Sequence, residues 1–204
     1  MITIIDYGLG NVKAFANVYN KLDIPIKIAT QAEDLKKATK VILPGVGAFD
    51  QAMRRLEISG MRKILDEIVL DRKVPVLGVC VGMQMLAYSS EEGKLPGLGW
   101  IDAEVRRFDL TSFTSFACVP HMGWNEVKVI KTNGLFRDLG NAGRFYFLHS
   151  YYIHCNKSED IIAVTDYSGE FVSAVNSGNI FGVQFHPEKS HHWGIRLLDN
   201  FAKL

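Results

Sequence analysis

A cysteine held between two glycines at the end of an apolar run is the sequence feature that most limits how this chain can fold. Val74 to Val79 reads as a short strand buried on both faces, and good helix formers continue from Val81. Cys80 therefore lies where a strand turns sharply into a helix, with Gly78 and Gly82 two residues to either side. A side chain at either glycine would collide with so tight a turn. The pattern is the cysteine counterpart of the G-x-S-x-G nucleophile elbow.

This geometry would activate the Cys80 thiol. The first-turn amides and the positive end of the following helix favour a thiolate, which is a competent nucleophile toward an acyl carbon. The same amides could hold the oxyanion of a tetrahedral intermediate. An isolated cysteine is more often a small hydrophobe in a core, so a nucleophile needs a second group.

A histidine and a glutamate at the end of a later strand supply that second group. The run from 179 to 185 reads as a strand, and it is followed by His186, Pro187 and Glu188. Residues two apart in an extended chain project to the same side, so the imidazole and the carboxylate face the same way. The imidazole can take the proton of Cys80 while the carboxylate fixes its tautomer. We predict a Cys80, His186 and Glu188 triad.

The order of elements predicts an α/β fold made as one domain over residues 1–204. Strands alternate with helices up to about residue 90, which favours a central, largely parallel sheet flanked by helices. The second half predicts additional antiparallel strands with short turns. These are Trp100 to Phe108, Asn125 to Ile130, Arg144 to His149, Ile161 to Thr165, Phe171 to Asn176 and Asn179 to Phe185.

Composition excludes several classes of function. A net charge of +1 gives no reason to expect nucleic acid, and no apolar run is long enough to span a bilayer. The first residues lack the basic flank and cleavage site of a signal peptide, and three cysteines cannot all pair. We therefore expect a cytoplasmic protein with reduced thiols.

No cofactor or metal is expected. The Gly8-Leu9-Gly10 turn lacks the third glycine of a dinucleotide fingerprint, because Lys13 stands there. Cysteine and histidine also occur in short-range pairs, but none repeats in a zinc-ribbon pattern. These pairs are Cys118 with His121, His154 with Cys155, and His191 with His192.

The sequences Gly-Val-Cys-Val-Gly-Met-Gln (78–84) and Phe-His-Pro-Glu-Lys-Ser (185–190), with Asp-Tyr-Gly-Leu-Gly-Asn (6–11), identify a resemblance that covers essentially the whole chain. The chain resembles the class I (triad) glutamine amidotransferases, and among them most closely the glutaminase subunits of imidazole glycerol phosphate synthases. The resemblance implies a flavodoxin-like fold and hydrolysis of L-glutamine to glutamate and ammonia through a cysteine thioester. It also implies a heterodimer with a TIM-barrel cyclase subunit that uses the ammonia in histidine biosynthesis.

The resemblance also implies roles for particular residues. The Pro44 to Gly47 segment, whose two glycines suit a backbone that can flip, matches the oxyanion strand of the family. Three groups of residues are implied: an oxyanion hole at Val46, Gly47 and Val81; glutamine binding by Gln84, Glu92, Ser150 and Tyr151; and a partner interface at Asn11, Trp124, Asn125, Tyr146 and Lys189. If the resting state points the Val46 carbonyl into the hole, the isolated chain is a poor glutaminase until a partner carrying its acceptor favours the flip of that peptide.

Three alternatives stay open. Similar glutaminase subunits supply ammonia for sugar amidation in surface-polysaccharide biosynthesis. Two departures from the common histidine-pathway pattern put the partner in doubt: Val81 replaces a leucine, and the bulky run from His191 to Trp193 replaces small or acidic residues. The chain could also be a non-catalytic interaction module or a stand-alone cysteine hydrolase of the same superfamily. An intact triad disfavours the former, and Gln84 with the glycine-rich strand favours glutamine over a peptide.

Overall fold

The computed structural model describes residues 1–109, 111, 118–140 and 142–204. Its strands are β1 (Ile2–Ile5), β2 (Ile26–Ala29), β3 (Val41–Gly45), β4 (Val76–Cys80), β5 (Ser89–Ser90), β6 (Ala103–Arg107), β7 (His121–Val129), β8 (Ala142–His149), β9 (Tyr151–Cys155), β10 (Ile161–Asp166), β11 (Glu170–Ser177) and β12 (Ile180–Val183). Its helices are α1 (Val12–Lys21), α2 (Phe49–Ile58), α3 (Arg62–Asp66), α4 (Val81–Gln84) and α5 (His191–Lys203). A π-helical turn, Glu67–Asp71, continues α3.

One mixed sheet organises these elements, in the order β2-β1-β3-β4-β12-β11-β10-β7-β8. The first five strands of that order are parallel, and from β12 onward each neighbour is antiparallel. Strand β9 pairs with both β11 and β6 beside this path. The order β2-β1-β3-β4 is that of flavodoxin-like sheets, so the predicted fold class is confirmed.

Four of the five parallel strands are buried along their whole length, as is typical of a parallel sheet covered on both faces, whereas the edge strand β2 is only partly buried. Every residue of β1, β3, β4 and β12 is buried. Since parallel strands place their carboxyl ends at one edge of the sheet, the residues that follow β3, β4 and β12 meet there. Val183 lies opposite Val79 in the register of β12 and β4, which brings the residues after each of them together.

Two predictions about local structure were wrong. The helix formers that continue from Val81 predict a longer helix than the structure has, because α4 is a single turn that ends at Gln84. Amides of the 98–101 segment donate to the carbonyls of Met85, Leu86 and Ala87, and these tertiary bonds replace helical ones. Strand β9 was also missed, because its pairing with β6 joins residues about fifty apart and leaves no local turn signal.

Among the described residues, no helix is long and apolar enough to cross a membrane. Within the same residues, no group of three or more His, Cys, Asp and Glu side chains could hold a metal ion. Cys80, Cys118 and Cys155 are all free thiols.

Candidate active site

Cys80 occupies a strained turn between β4 and α4. Its backbone angles, φ 55° and ψ −115°, belong to a region that residues with side chains rarely adopt, at a cost of about 1–3 kcal/mol. The chain is packed too tightly here for side chains. A Cβ at Gly82 would lie 2.0 Å from the Leu43 carbonyl oxygen, and one at Gly78 would lie 2.6 Å from the Gly82 carbonyl oxygen. The predicted sharp turn at Cys80 is therefore present, and it requires glycine at positions 78 and 82.

His186 and Glu188 form a buried pair beside the thiol. His186 Nδ1 lies 2.9 Å from Glu188 Oε1, and the two side chains are 4% and 1% exposed. Because Nδ1 faces the carboxylate, Nε2 is the ring nitrogen left to interact with Cys80, which lines the same cavity as His186. The predicted residues thus come together in the order thiol, imidazole, carboxylate.

The electrostatics of the pair favour a charged imidazole. Burial opposes that charge, but the hydrogen bonds and charges of Cys80 and Glu188 outweigh it and raise the pKa of His186 above its ordinary value. Within the described residues, Glu188 Oε2 is buried without a hydrogen-bond partner. A buried carboxylate needs a counter-charge, and the imidazolium is the one beside it.

One glutamine side chain and one carbonyl contact the sulfur of Cys80, and a second glutamine is hydrogen-bonded to the first. Gln184 Nε2 lies 3.7 Å from Cys80 Sγ, and the thiol points at the Leu148 carbonyl oxygen at 3.8 Å. Gln84 Nε2 donates to Gln184 Oε1 and to the Tyr151 carbonyl, each at 3.0 Å. Both protons of that amide are then used within the protein, so a contact from Gln84 to substrate would use its oxygen.

Sequence reasoning missed Gln184, although a signal for it was present. The two-residue spacing that relates His186 to Glu188 applies equally one step back, from His186 to Gln184. Gln184 is a fully buried polar residue that directly follows β12. Such a side chain needs a hydrogen-bonding role, and here it lies between Gln84 and Cys80.

A cavity of about 330 Å³ opens above Cys80. It is lined by most of the predicted site residues and by three that the sequence did not indicate. The predicted ones are Val46, Gly47, Cys80, Val81, Gln84, Glu92, Ser150, Tyr151, His186 and Lys189; the additional ones are Pro120, Leu148 and His149.

The predicted oxyanion strand lies against the elbow. Gly45 is paired with Cys80 in the register of β3 and β4, and a Cβ on Gly45 would lie 2.3 Å from the Gly82 nitrogen. Gly47 has φ +87°, and Val46 is 38% exposed at the cavity. The residues Val46, Gly47 and Val81 therefore lie at this wall of the cavity. Because α4 is a single turn, stabilisation of an anion here would depend on individual amides more than on the dipole of a long helix.

Tyr7 fixes the start of the same segment. Its hydroxyl donates to the Pro44 carbonyl at 2.7 Å, and a Cβ on Gly10 would lie 2.6 Å from Pro44 Cβ. The loop that carries Asn11 thus packs directly on the oxyanion strand. Asn11 occupies the N-cap position of α1.

Glu92 lies at the cavity wall, and its carboxylate also caps the N-terminus of α2. Its Oε2 accepts a hydrogen bond of 2.8 Å from the Phe49 amide in the first turn of α2. The carboxylate is half-buried, so it is more than a solvated surface charge. Its position fixes α2 immediately after the glycine-rich strand.

Aromatic and basic side chains surround the outer rim. Lys189 Nζ lies 5.7 Å from the centre of the Tyr146 ring, and Trp124 meets Tyr146 edge-on at 6.3 Å. Trp124 is 39% exposed, and the His191 ring stacks on it at 5.1 Å. The unusual His191 to Trp193 run therefore begins beside the residues predicted to meet a partner.

Comparison with known proteins gives a consistent result. The family model described as "Glutamine amidotransferase class-I" matches residues 3–204. The chain is 55% identical to the imidazole glycerol phosphate synthase subunit HisH of Bdellovibrio bacteriovorus and 54% identical to that of Leptospira interrogans, in both cases over 100% of each chain. A solved structure described as a glutamine amidotransferase matches with a TM-score of 0.77 at 18% identity, over 100% of this chain and 99% of that one.

Proposed function

The chain belongs to the class I glutamine amidotransferase family, and from this premise we propose that it is the glutaminase subunit of an imidazole glycerol phosphate synthase. The observation that carries the chemistry is that the strained Cys80 elbow and His186, which is paired with the buried Glu188, line one cavity. A catalytic triad accounts for both the backbone strain and the buried charges.

In the proposed first half-reaction, the Cys80 thiol gives its proton to His186, and the resulting thiolate attacks the side-chain amide carbon of L-glutamine. The carbonyl electron pair moves onto oxygen, which amides of the Val46, Gly47 and Val81 region stabilise. The His186 imidazolium then gives a proton to the departing nitrogen, which leaves as ammonia, and the oxygen pair collapses to a glutamyl thioester.

In the second half-reaction, His186 is neutral and takes a proton from water as the water oxygen attacks the thioester. The second tetrahedral intermediate collapses, the sulfur leaves as thiolate, and glutamate is released. Glu188 keeps the imidazole oriented and stabilises its charged form throughout. We assign glutamine binding to Gln84, Glu92, Ser150 and Tyr151, which line the cavity.

We further propose that residues 1–204 act as one glutaminase domain in the cytoplasm, with a TIM-barrel cyclase as the partner. The names of the relatives describe a subunit of a synthase, which supports a second subunit. The rim formed by Tyr146, Trp124 and Lys189 offers aromatic and basic groups for that contact. We assign Asn11 and Asn125 to the same interface. Ammonia would then be released toward the partner.

The test is glutamine hydrolysis, and ammonia-dependent product formation, by the assembled complex. Cys80→Ala abolishes the first and leaves the second largely intact, because the acceptor chemistry belongs to the partner. Cys118→Ser, which alters an exposed thiol, is the matched control and retains both. Full hydrolysis by Cys80→Ala would contradict the assignment of the nucleophile.

The same assay tests the partner and the gate. Hydrolysis is compared for the chain alone, with the cyclase, and with the cyclase plus its acceptor. A flip at Val46 that completes the oxyanion hole predicts a rise of roughly 100- to 1,000-fold in the last case. Equal rates would exclude the gate, and stimulation only by a sugar-amidating partner would assign the chain to that pathway instead.

A further inference from the structure

Two buried histidines beside the cavity have no role in the mechanism above. His121 on β7 and His149 on β8 are directly opposite each other in the antiparallel register. They are 3% and 6% exposed, and His121 Nδ1 lies 3.0 Å from His149 Nε2. His149 also lines the cavity above Cys80.

Aromatic rings enclose this pair. His121 is stacked between Tyr167, at a ring-centre distance of 3.9 Å, and Phe147, at 4.8 Å. Phe108 and Phe171 lie 5.3 and 5.1 Å from His149. This burial lowers the pKa of His121 to about 4 and that of His149 to about 3, so both rings are neutral at physiological pH.

The hydrogen bonds then determine which nitrogen of each ring carries the proton. The Tyr151 carbonyl lies 2.8 Å from His149 Nδ1 and can only accept, so that nitrogen is the N–H. A neutral His149 must therefore accept at Nε2, and the donor to it is His121 Nδ1. His121 in turn accepts at Nε2, where Asn125 Nδ2 lies 3.4 Å away.

The orientation of the Asn125 amide is fixed independently. Its Oδ1 accepts from the Glu126 amide at 2.7 Å, and its Nδ2 donates to the Asp166 carbonyl at 2.9 Å. Nδ2 has one proton left for His121. Every donor in the series from Asn125 to Tyr151 thus points the same way, toward the cavity.

The series ends on an atom that the active site shares. The Tyr151 carbonyl accepts from His149 on one side and from Gln84 Nε2 on the other, so both of its lone pairs are used. Gln84 continues to Gln184, which contacts the Cys80 sulfur. Tyr151 and Ser150 form the cavity wall between these groups.

We propose that His121 and His149 are positioning residues for glutamine, which hold the Ser150 to Tyr151 wall and the Gln84 side chain through this one-directional series of hydrogen bonds. The inference rests on the proposed glutaminase function and adds to it the groups that set the geometry of substrate binding. Apolar side chains at 121 and 149 would fill the same space but leave the Tyr151 carbonyl with Gln84 as its donor alone, free to tilt.

The tautomers are tested first, on the unaltered protein. Long-range ¹H–¹⁵N correlation spectra distinguish the protonated from the bare nitrogen of each imidazole, and single histidine substitutions assign the six rings. Both His121 and His149 are expected to be neutral with the proton on Nδ1. A proton on Nε2 of either ring, or a charged ring at neutral pH, overturns the proposal even if no variant folds.

The effect on glutamine is tested with two variants of His149 in the assembled complex. His149→Asn keeps an N–H near the Nδ1 position, whereas His149→Gln moves the amide to the Nε2 position and loses the donor to Tyr151. We expect His149→Gln to raise the KM for glutamine about fivefold, which corresponds to one net hydrogen bond, while kcat changes less than twofold. His149→Asn should recover most of that KM.

His154→Gln, on the adjacent strand β9, is the matched control and should leave both constants unchanged. A purely structural role for His149 would lower the stability of both variants without separating their KM values, and that result overturns the proposal. Retained hydrolysis in Cys80→Ala would instead contradict the proposed function, and the tautomer spectra would be unaffected by it.

Discussion

In the parallel half of the sheet, Cys80 is placed by backbone atoms that approach closely because side chains are missing. In the antiparallel half, the opposite wall of the same cavity is held by buried polar side chains. Gly45, Gly78 and Gly82 permit the close approach of backbone atoms in the parallel half. His121 and His149 are the hydrogen-bonded polar side chains of the antiparallel half. The two halves should therefore fail differently: the first when volume is added, the second when a donor or an acceptor is lost.

The largest effect is expected from added volume in the parallel half. Gly82→Ala places a Cβ about 2 Å from the Leu43 carbonyl oxygen, where backbone on both sides cannot move apart. We expect the free energy of unfolding to fall by roughly 3–5 kcal/mol, measured by urea denaturation.

Gly60→Ala is the control for Gly82→Ala. Gly60 has φ +70° but open space around its Cβ position, so its substitution should cost only about 1–2 kcal/mol of backbone strain. Equal losses in the two variants would show that crowding at the elbow is not what makes Gly82 necessary.

The next largest effect is expected on the rate of glutamine hydrolysis, when the buried carboxylate of Glu188 is removed. Glu188→Gln should fold but hydrolyse glutamine roughly 1,000-fold more slowly, because the imidazolium loses its counter-charge. The Cys80 and Glu188 contacts raise the pKa of His186, so removing one of them lowers it again. The imidazolium is then lost at lower pH, and the alkaline limb of the pH–rate profile moves toward neutrality.

Glu159→Gln, at an exposed position, is the control for Glu188→Gln and should keep the normal rate and profile. An unshifted alkaline limb in Glu188→Gln would remove the carboxylate from the control of His186. Wild-type kinetics in His186→Ala would remove the histidine itself from the mechanism.

A smaller effect is expected when the buried rings of the antiparallel half are driven to bind protons. Burial keeps the pKa values of His121 and His149, about 4 and about 3, below the ordinary value of 6.5. At pH values between the lowered pKa of each ring and 6.5, the folded state therefore binds fewer protons than the unfolded state. The stability that the neutral rings provide is present above pH 6.5 and is lost as the pH falls, by up to about 1.4 kcal/mol per pH unit for each ring.

Urea denaturation at a series of pH values measures this slope. His149→Asn removes one of the two buried rings and should flatten the slope, whereas His154→Asn should not. An unchanged slope in His149→Asn would mean that His149 contributes nothing to the acid sensitivity.

The smallest effect concerns the strain at the elbow itself. Glycine adopts the Cys80 backbone angles without strain, whereas alanine does not. Cys80→Gly should therefore be more stable than Cys80→Ala by about 1 kcal/mol, although both lack the nucleophile. Equal stabilities would show that the backbone angles at Cys80 cost little.

The comparison also explains how much could be read from the sequence. The elbow and the His186 to Glu188 spacing are local patterns, so their residues could be named in advance. His121 and His149 lie 28 residues apart and meet only through strand pairing. The histidine of the Cys118 to His121 pair could be considered as a metal ligand, but no local spacing indicates that His149 is its neighbour. Gln84 was named from the resemblance to the family, whereas its hydrogen bonds to Gln184 and Tyr151 depend on the tertiary fold.

Strand β12 joins the two halves, and this has a consequence for the growing chain. It inserts between β4 and β11, and 104 residues separate Cys80 from its neighbour Gln184. During synthesis on the ribosome, β4 therefore remains an open, apolar sheet edge long after Cys80 has emerged, and such edges invite aggregation. In the proposed mechanism, the thiol also lacks its proton acceptor until residue 186 is made. The proposed nucleophile would then be activated only when the sheet closes, so that a nascent chain would not consume glutamine.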